Sequence, residues 1–422
     1  MNKFFVISLS VLLAIGIILR LSHLDISKRT PDEKIYVYQA DRIANDGMEG
    51  TRQLIHEENL DPTQWEYPPP TRIGYDYTLA GVIKLIKIPD ERSGTYLSIF
   101  ASIGSLVLLL IIGLRFFTPW ITLIAMMGMI TSPMDLAIAR RCWQDSLFGF
   151  VWLFFIYICA EIIKSPQKKI LYLPLLLTGI YGLLIKEIGI VIFALGILGL
   201  LFHEIFKKKS IAGSVIVMII GLLGMATSFI LLLIVCGQFS EIKELYQHLT
   251  KSIPYNEYDL QYQTGPWYQI LELFWILTPL FTLFTLLGCG ITLLYNRVKS
   301  FSSLGLIHNI SIARGIVLFS ILFNVFIMLL PYNQNLRYLS VTFVPFYLLS
   351  GWSLWNMIVF FQNRLGSFAS KIMTTILFLI IIGFAFYQYQ TFISLFVKKA
   401  LADLNIGFLR GRIYIPLNSN IL

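Results

Sequence analysis

Asp32 and Glu33 stand side by side just past an apolar segment, Phe4 to Leu19, that is broken only by Ser8, Ser10 and Gly16. At ~1.5 Å per residue that segment crosses most of a bilayer core. One carboxylate at such a boundary can take a proton from a hydroxyl while its neighbour positions it. Pro31-Asp32-Glu33 is equally a helix start, running on through Tyr36 to Ala40. The two readings agree, because a helix start holds a carboxylate rigidly. Further groups suit an anionic phosphate. Arg140 precedes Asp145 by five positions, and a guanidinium fork matches phosphate oxygens. Lys186-Glu187 lies in a short turn between apolar runs, where an ion pair closing the turn explains it as well as phosphate binding. Arg337 follows Asn333-Gln334-Asn335, and a helix-end anchor accounts for it equally. Tyr67, before Pro68-Pro69-Pro70, and Arg72 are placed to sit at headgroup level.

The elements that must hold these residues are membrane helices. The chain of 422 residues is 56% hydrophobic and 14% charged, whereas roughly a quarter of a soluble chain is charged. The expected fold is all-α and integral to the membrane, a polytopic bundle of about eleven transmembrane helices. After the first, apolar runs recur near 95–114, 119–134, 146–163, 170–185, 188–206, 211–236, 269–294, 314–331, 338–361 and 371–394. Ile73 to Ile88, with Asp76, Lys84 and Lys87, reads as a helix lying at the interface. With the N-terminus in the cytoplasm, thirteen basic residues and two acids fall inside, leaving 20 bases and 22 acids outside. That asymmetry fits the positive-inside rule, so the net charge of +9 is a topology signal and gives no reason to expect nucleic acid.

Thirteen of the 24 acids lie between Asp25 and Glu91, in a first outer loop (25–91) expected to carry interfacial helices. A second outer loop, 237–268, is rich in Tyr and Gln, and a tail, 395–422, is expected outside as well. The whole, 1–422, reads as one transmembrane domain. Cys142, Cys159, Cys236 and Cys289 show no metal or disulfide spacing. The acid cluster leaves room for a divalent cation, but no spacing demands one. The triplet Asn309-Ile310-Ser311 falls in an inner loop. Mid-span charges are scarce, Glu272 being the nearest case, which weighs against a transporter.

In order along the chain, these motifs resemble the C-type membrane glycosyltransferases that use polyprenyl-phosphate sugars, in the branch of protein O-mannosyltransferases and lipid A aminoarabinose transferases. Pro31-Asp32-Glu33-x-x-Tyr36 is similar to that family's first-loop acidic motif. Tyr67-Pro68-Pro69 resembles its Pro-Pro segment, Ala139-Arg140 through Asp145-Ser146-Leu147 its Ala-Arg-x-x-x-x-Asp motif, and Gly182 to Lys186 its Gly-Leu-x-x-x-Lys turn. Arg337-Tyr338 with Pro345 is similar to a late Arg-Tyr pattern. No large soluble C-terminal domain follows, unlike in oligosaccharyltransferases, and Glu66 stands where relatives often have a basic residue nearby.

The resemblance implies an inverting glycosyltransferase of the plasma or inner membrane. Asp32 is its expected base with Glu33 beside it, and Arg140, Asp145, Lys186, Arg337 and Tyr67 are expected at the donor. Its partners would be a polyprenyl-phosphate sugar, membrane lipid, and an acceptor lipid, glycan or protein of the cell envelope. A surface-polysaccharide polymerase or ligase is the related alternative, and a polytopic lipid or solute transporter is the alternative of another class.

Overall fold

In the computed structural model the described residues are 3–24, 30–60, 68–165, 167–252, 255, 257–294, 310–329, 335–364, 367–401, 403–405, 407 and 409. Among them the structure is helical, with an isolated antiparallel bridge between Asn335 and Asn405. In chain order the helices are α1 (Lys3–Leu21), α2 (Pro31–Asp46), α3 (Met48–Leu60), α4 (Ile73–Ile86), α5 (Glu91–Phe116) and α6 (Pro119–Ile130). There follow α7 (Pro133–Ile138), α8 (Asp145–Lys164), α9 (Tyr172–Ile185), α10 (Gly189–Phe202), α11 (Ile211–Cys236) and α12 (Phe239–Ser252). The last are α13 (Glu257–Tyr262), α14 (Gln269–Leu277), α15 (Pro279–Leu294), α16 (Ile310–Met328), α17 (Phe343–Arg364) and α18 (Ser367–Phe392).

Seven helical segments are long and apolar enough to cross a membrane, and four shorter apolar helices accompany them among the described residues. The chain is an all-α, multi-pass integral membrane protein. Where a single run was expected at 119–134, Pro133 starts a new helix, and the apolar stretch 269–294 likewise divides before Pro279. The cause is common to both: proline lacks an N–H and is tolerated in the first turn of a helix but not inside one. The run 338–361 also divides, into a 3₁₀ segment Leu336–Thr342 followed by α17.

By its contacts the chain groups into two compact units of discontinuous segments. Unit 1 is Met1–Lys28, Ser102–Ala139 and Tyr262–Leu422; unit 2 is Arg29–Ala101 and Arg140–Gln261. In unit 1, Arg20 and Asp135 are buried and form an ion pair, with Ser102 donating to Asp135 at 2.7 Å and Arg20 donating to the Gly16 carbonyl at 3.0 Å. The sequence reading placed neither charge in a packed interior.

Unit 2 holds the polar first loop. Helices α3, α4, α11 and α12 pack about a core of Ile55, Ile73, Cys236, Ile242, Leu245 and Leu249. The last three recur at helical spacing, which explains why the stretch expected as a Tyr- and Gln-rich loop, 237–268, forms the amphipathic helix α12. Helix α4 is no half-immersed surface helix on its Asp76 side: Tyr75, Asp76 and Leu79 are fully buried. Gly74 lets α4 approach the end of α9 so closely that a Cβ there would stand 2.8 Å from the Leu184 carbonyl carbon.

Candidate active site

The head of α2 is built by its own sequence. Thr30 is the N-cap, Pro31 the first helical residue, and Glu33 closes a capping box by accepting from the Thr30 N–H at 3.0 Å. These interactions satisfy amide groups that every helix start leaves open. Glu33 does more than cap. It is fully buried, accepts from Arg141 at 3.1 Å, and its other oxygen accepts from the Cys142 amide at 2.9 Å. Trp143 Nε1 donates to Thr30 Oγ1 at 3.0 Å. The turn 139–144 is thereby stapled to the acidic motif.

Helix α5 fixes the same turn from another side. Thr95 donates to the Arg140 carbonyl at 3.3 Å and Ser98 to the Trp143 carbonyl at 3.0 Å. Gly94 leaves the space Cys142 occupies, since a Cβ there would overlap its sulfur. Arg140 is fully buried within this turn. Its neighbour Arg141 is the arginine that pairs with Glu33.

Asp145 opens α8, and Lys186 ends the α9–α10 turn's first half. They meet at 2.8 Å, both buried, with the Lys186 ammonium 5.9 Å from the Phe148 ring centre. Asp145 thus engages Lys186, 41 positions away in the chain, and the charge of Lys186 also acts on its neighbour Glu187. Glu187 goes to Arg72, which grips it through Nε and Nη2 at 3.0–3.2 Å. Arg72 also donates to the Tyr36 hydroxyl at 2.7 Å, and Tyr246 donates to Glu187 at 3.1 Å. Although burial disfavours its charged form, the Arg72 guanidinium holds the Glu187 carboxyl below its usual range.

Tyr36 gathers these groups. Burial pushes its hydroxyl well above the usual phenol range, with the charges of Asp32, Asp145 and Asp76 adding to the rise and Arg72 opposing it. Asp32 itself is half-buried at the first turn of α2. Asp76 is fully buried one helical turn from Arg72, and neither of its oxygens meets a hydrogen-bond partner among the described residues. Desolvation therefore pushes its carboxyl well above the ordinary range, Arg72 only partly offsetting it.

Unit 2 thus brings together Asp32, Glu33, Arg140, Asp145 and Lys186. It adds Tyr36, Arg72, Asp76 and Glu187, which sequence reasoning left out of the site. The signal that could have found Arg72 is its place three residues after Pro69, on the helix entry those prolines stiffen. Tyr67, Asn309, Asn333-Gln334 and residues 410–422 of the tail lie outside the described residues. In unit 1, Arg337 sits in a 3₁₀ turn capped by Asn335, whose side-chain oxygen accepts its N–H at 3.1 Å. The Asn335 amide is in turn held by both oxygens of Asp403, at 3.1 and 3.2 Å.

Most carboxylates of the site are already engaged. Glu33, Asp145 and Glu187 are each engaged by a basic side chain, and no group of three or more His, Cys, Asp or Glu converges among the described residues.

No family model and no curated protein matches the sequence. Solved structures do. The archaeal oligosaccharyltransferase AglB from Archaeoglobus fulgidus, in complex with an inhibitory peptide and a dolichol-phosphate, is similar at a TM-score of 0.62 and 11% identity, over 96% of this chain and 56% of that one. The Archaeoglobus fulgidus enzyme with zinc and sulfate is similar at 0.54 and 13% identity, over 90% and 53%. ArnT from Cupriavidus metallidurans, in the apo state, is similar at 0.49 and 12% identity, over 86% and 60%. The chain spans between half and two thirds of the length of these structures, and at such identities the likeness is one of fold. On the oligosaccharyltransferase match, the chain has the membrane fold of the C-type glycosyltransferases.

Proposed function

We propose that this protein is an inverting glycosyltransferase that moves a sugar from a polyprenyl-phosphate donor to an acceptor hydroxyl at the outer membrane face. The observation that carries the reading is the cluster around Tyr36: a half-buried carboxylate, Asp32, stands one helical turn before Tyr36 on a capped helix start and acts on its hydroxyl, which Arg72 meets at 2.7 Å, in a protein of C-type fold. Asp32 takes the proton of the acceptor hydroxyl as its oxygen bonds to the anomeric carbon. The bond from that carbon to the phosphate oxygen breaks, and its electron pair leaves with the lipid phosphate.

Developing charge on the leaving phosphate needs preorganised cations. Lys186 and Arg72 are proposed for this, with Arg140 behind them and Asp145 orienting Lys186. Glu33 is proposed to position Asp32 by locking the head of α2. Tyr67 and Arg337 stay as proposed donor-binding groups, Arg337 on its own unit. The topology proposed is a cytoplasmic N-terminus and an outer C-terminus. No step runs through a metal.

The test is transfer from radiolabelled polyprenyl-phosphate sugars by membranes carrying wild type or Asp32→Asn. Loss of a general base typically costs 10²–10⁴-fold in rate, so Asp32→Asn should lose about two to four decades of transfer. Full activity in folded Asp32→Asn would remove the base assignment. Counterflow of lipid or solute without any donor consumption would replace the enzyme by a transporter. A polymerase or ligase of surface polysaccharide would show itself by using only a growing glycan as acceptor.

A further inference from the structure

Beside the acidic motif, α2 and α3 enclose a recess of about 330 Å³ lined by Lys34, Ile35, Tyr38, Gln39, Leu54, Glu57 and Glu58. At ~100° per residue, Ile35 and Gln39 lie ~60° and ~20° to one side of Asp32 around α2, while Tyr36 lies ~40° to the other. Tyr36 is the residue that meets Arg72. Asp32 therefore stands between the phosphate-binding cluster and this recess, the position a base must occupy between donor and acceptor.

The lining says what would fit. Gln39 is 1% exposed; its amide nitrogen donates to the Pro68 carbonyl at 2.9 Å, while its side-chain oxygen accepts no hydrogen bond among the described residues. Buried amide oxygens are rarely left so. With the carboxylates of Glu57 and Glu58, the wall is rich in acceptors and calls for a ligand that donates. Leu54 and Ile35 give an apolar floor, and Tyr38, 52% exposed, offers a ring. Arg42 organises the rim, donating to the Tyr38 hydroxyl at 3.4 Å, Gln53 at 3.0 Å and Glu57 at 3.1 Å. Arg42 and Lys34 together balance Glu57 and Glu58, so the recess does not select for net positive charge. A neutral ligand with several hydroxyls and an apolar face meets all of these conditions.

We infer that this recess is the acceptor subsite and that it takes a saccharide unit, its hydroxyls donating to Gln39, Glu57 and Glu58 and its C–H face resting on Tyr38. The inference rests on the glycosyltransferase reading for the word acceptor, but the binding itself is testable without turnover. The full chain in lipid nanodiscs is probed by saturation-transfer NMR with methyl glycosides of neutral hexoses, and with a Ser/Thr-containing peptide as the competing class. Wild type and Tyr38→Phe should bind a glycoside, and Tyr38→Ala and Glu58→Gln should lose it; Tyr38→Phe keeps the ring and controls for folding.

In the transfer assay, Tyr38→Ala and Glu58→Gln should raise the acceptor KM about tenfold, the worth of one good polar contact, with the donor KM held within a factor of about two. Glycoside binding without any donor consumption would leave the saccharide site standing and sink the transferase reading instead. Asp32-dependent transfer with no glycoside bound, or with only the peptide bound, would overturn the inference, as would an acceptor KM indifferent to both variants.

Discussion

A carboxyl group buried without a hydrogen-bond partner is tolerated only while it is neutral, and among the described residues Asp76 is such a group. Its folded pKa lies well above the ordinary aspartate value of about 3.8. The stability this confers is complete below that value and declines as pH rises, because the unfolded chain releases a proton that the folded one keeps. Melting temperatures measured from pH 4 upward should therefore fall for wild type relative to Asp76→Asn. A constant difference between the two would show that Asp76 is charged in the folded protein. Glu187 has the opposite sign. Its folded pKa lies below 4.5, so its contribution is present above that value and lost on acidification; Glu187→Gln should flatten the acid limb of the same curve.

The residue types at the site were legible, but their partners were not. Asp145 and Lys186 are 41 positions apart and Arg141 and Glu33 are 108 apart, distances that only helix packing can close. Arg140 and Arg141 are adjacent, and nothing in sequence says which one a turn will aim at Glu33. The burial of Asp76 was not legible for a physical reason. A charge in a semi-apolar helix signals water only if that face stays outside, and here α4 buries it.

Among the elements, the head of α2 and the turn 139–144 act as one piece. Removing Glu33 would take from buried Arg141 the carboxylate it pairs with, and loss of one partner of a buried pair costs about 3–5 kcal/mol. Glu33→Ala should accordingly lower the melting temperature steeply, together with activity, whereas Asp32→Asn should melt close to wild type. Thr30→Ala removes the cap and the Trp143 contact and should cost about 1–2 kcal/mol. Gly94→Ala should reduce the yield of folded protein, because its Cβ would meet Cys142 on the rigid side of α5. Folding yield in detergent, set beside transfer rate, distinguishes these effects.

Helix existence was readable from apolar runs. The breaks were not, although Pro133 and Pro279 mark them, because each run stays apolar across its proline. The acidic motif was open to two readings, helix start or catalytic pair. The structure realises the first, with Glu33 in the capping box; the catalytic role of Asp32 is the proposal that the Asp32→Asn assay tests.

For the whole molecule, the charge asymmetry that suggested a cytoplasmic N-terminus gives a direct test. All four native cysteines are buried or half-buried, so labelling of an introduced cysteine stands out. A membrane-impermeant thiol reagent should label Glu57→Cys from outside in intact cells, and Lys208→Cys only after the membrane is opened. The reverse pattern would invert the topology and put the proposed chemistry on the cytoplasmic face. The division into two units was invisible in the sequence, because each is assembled from segments far apart in the chain and no linker marks a boundary.

The ion pair between Arg20 and Asp135 also bears on how the chain enters the bilayer. Its partners are 115 positions apart, so at a synthesis rate of ~5–20 residues per second the arginine waits roughly 6–23 s for its counter-charge. A lone guanidinium is costly in hydrocarbon and stays at the headgroups when it can. Arg20, one residue from the end of α1, can keep its guanidinium at the headgroups during that interval and exchange water for Asp135 once the carboxylate has been made.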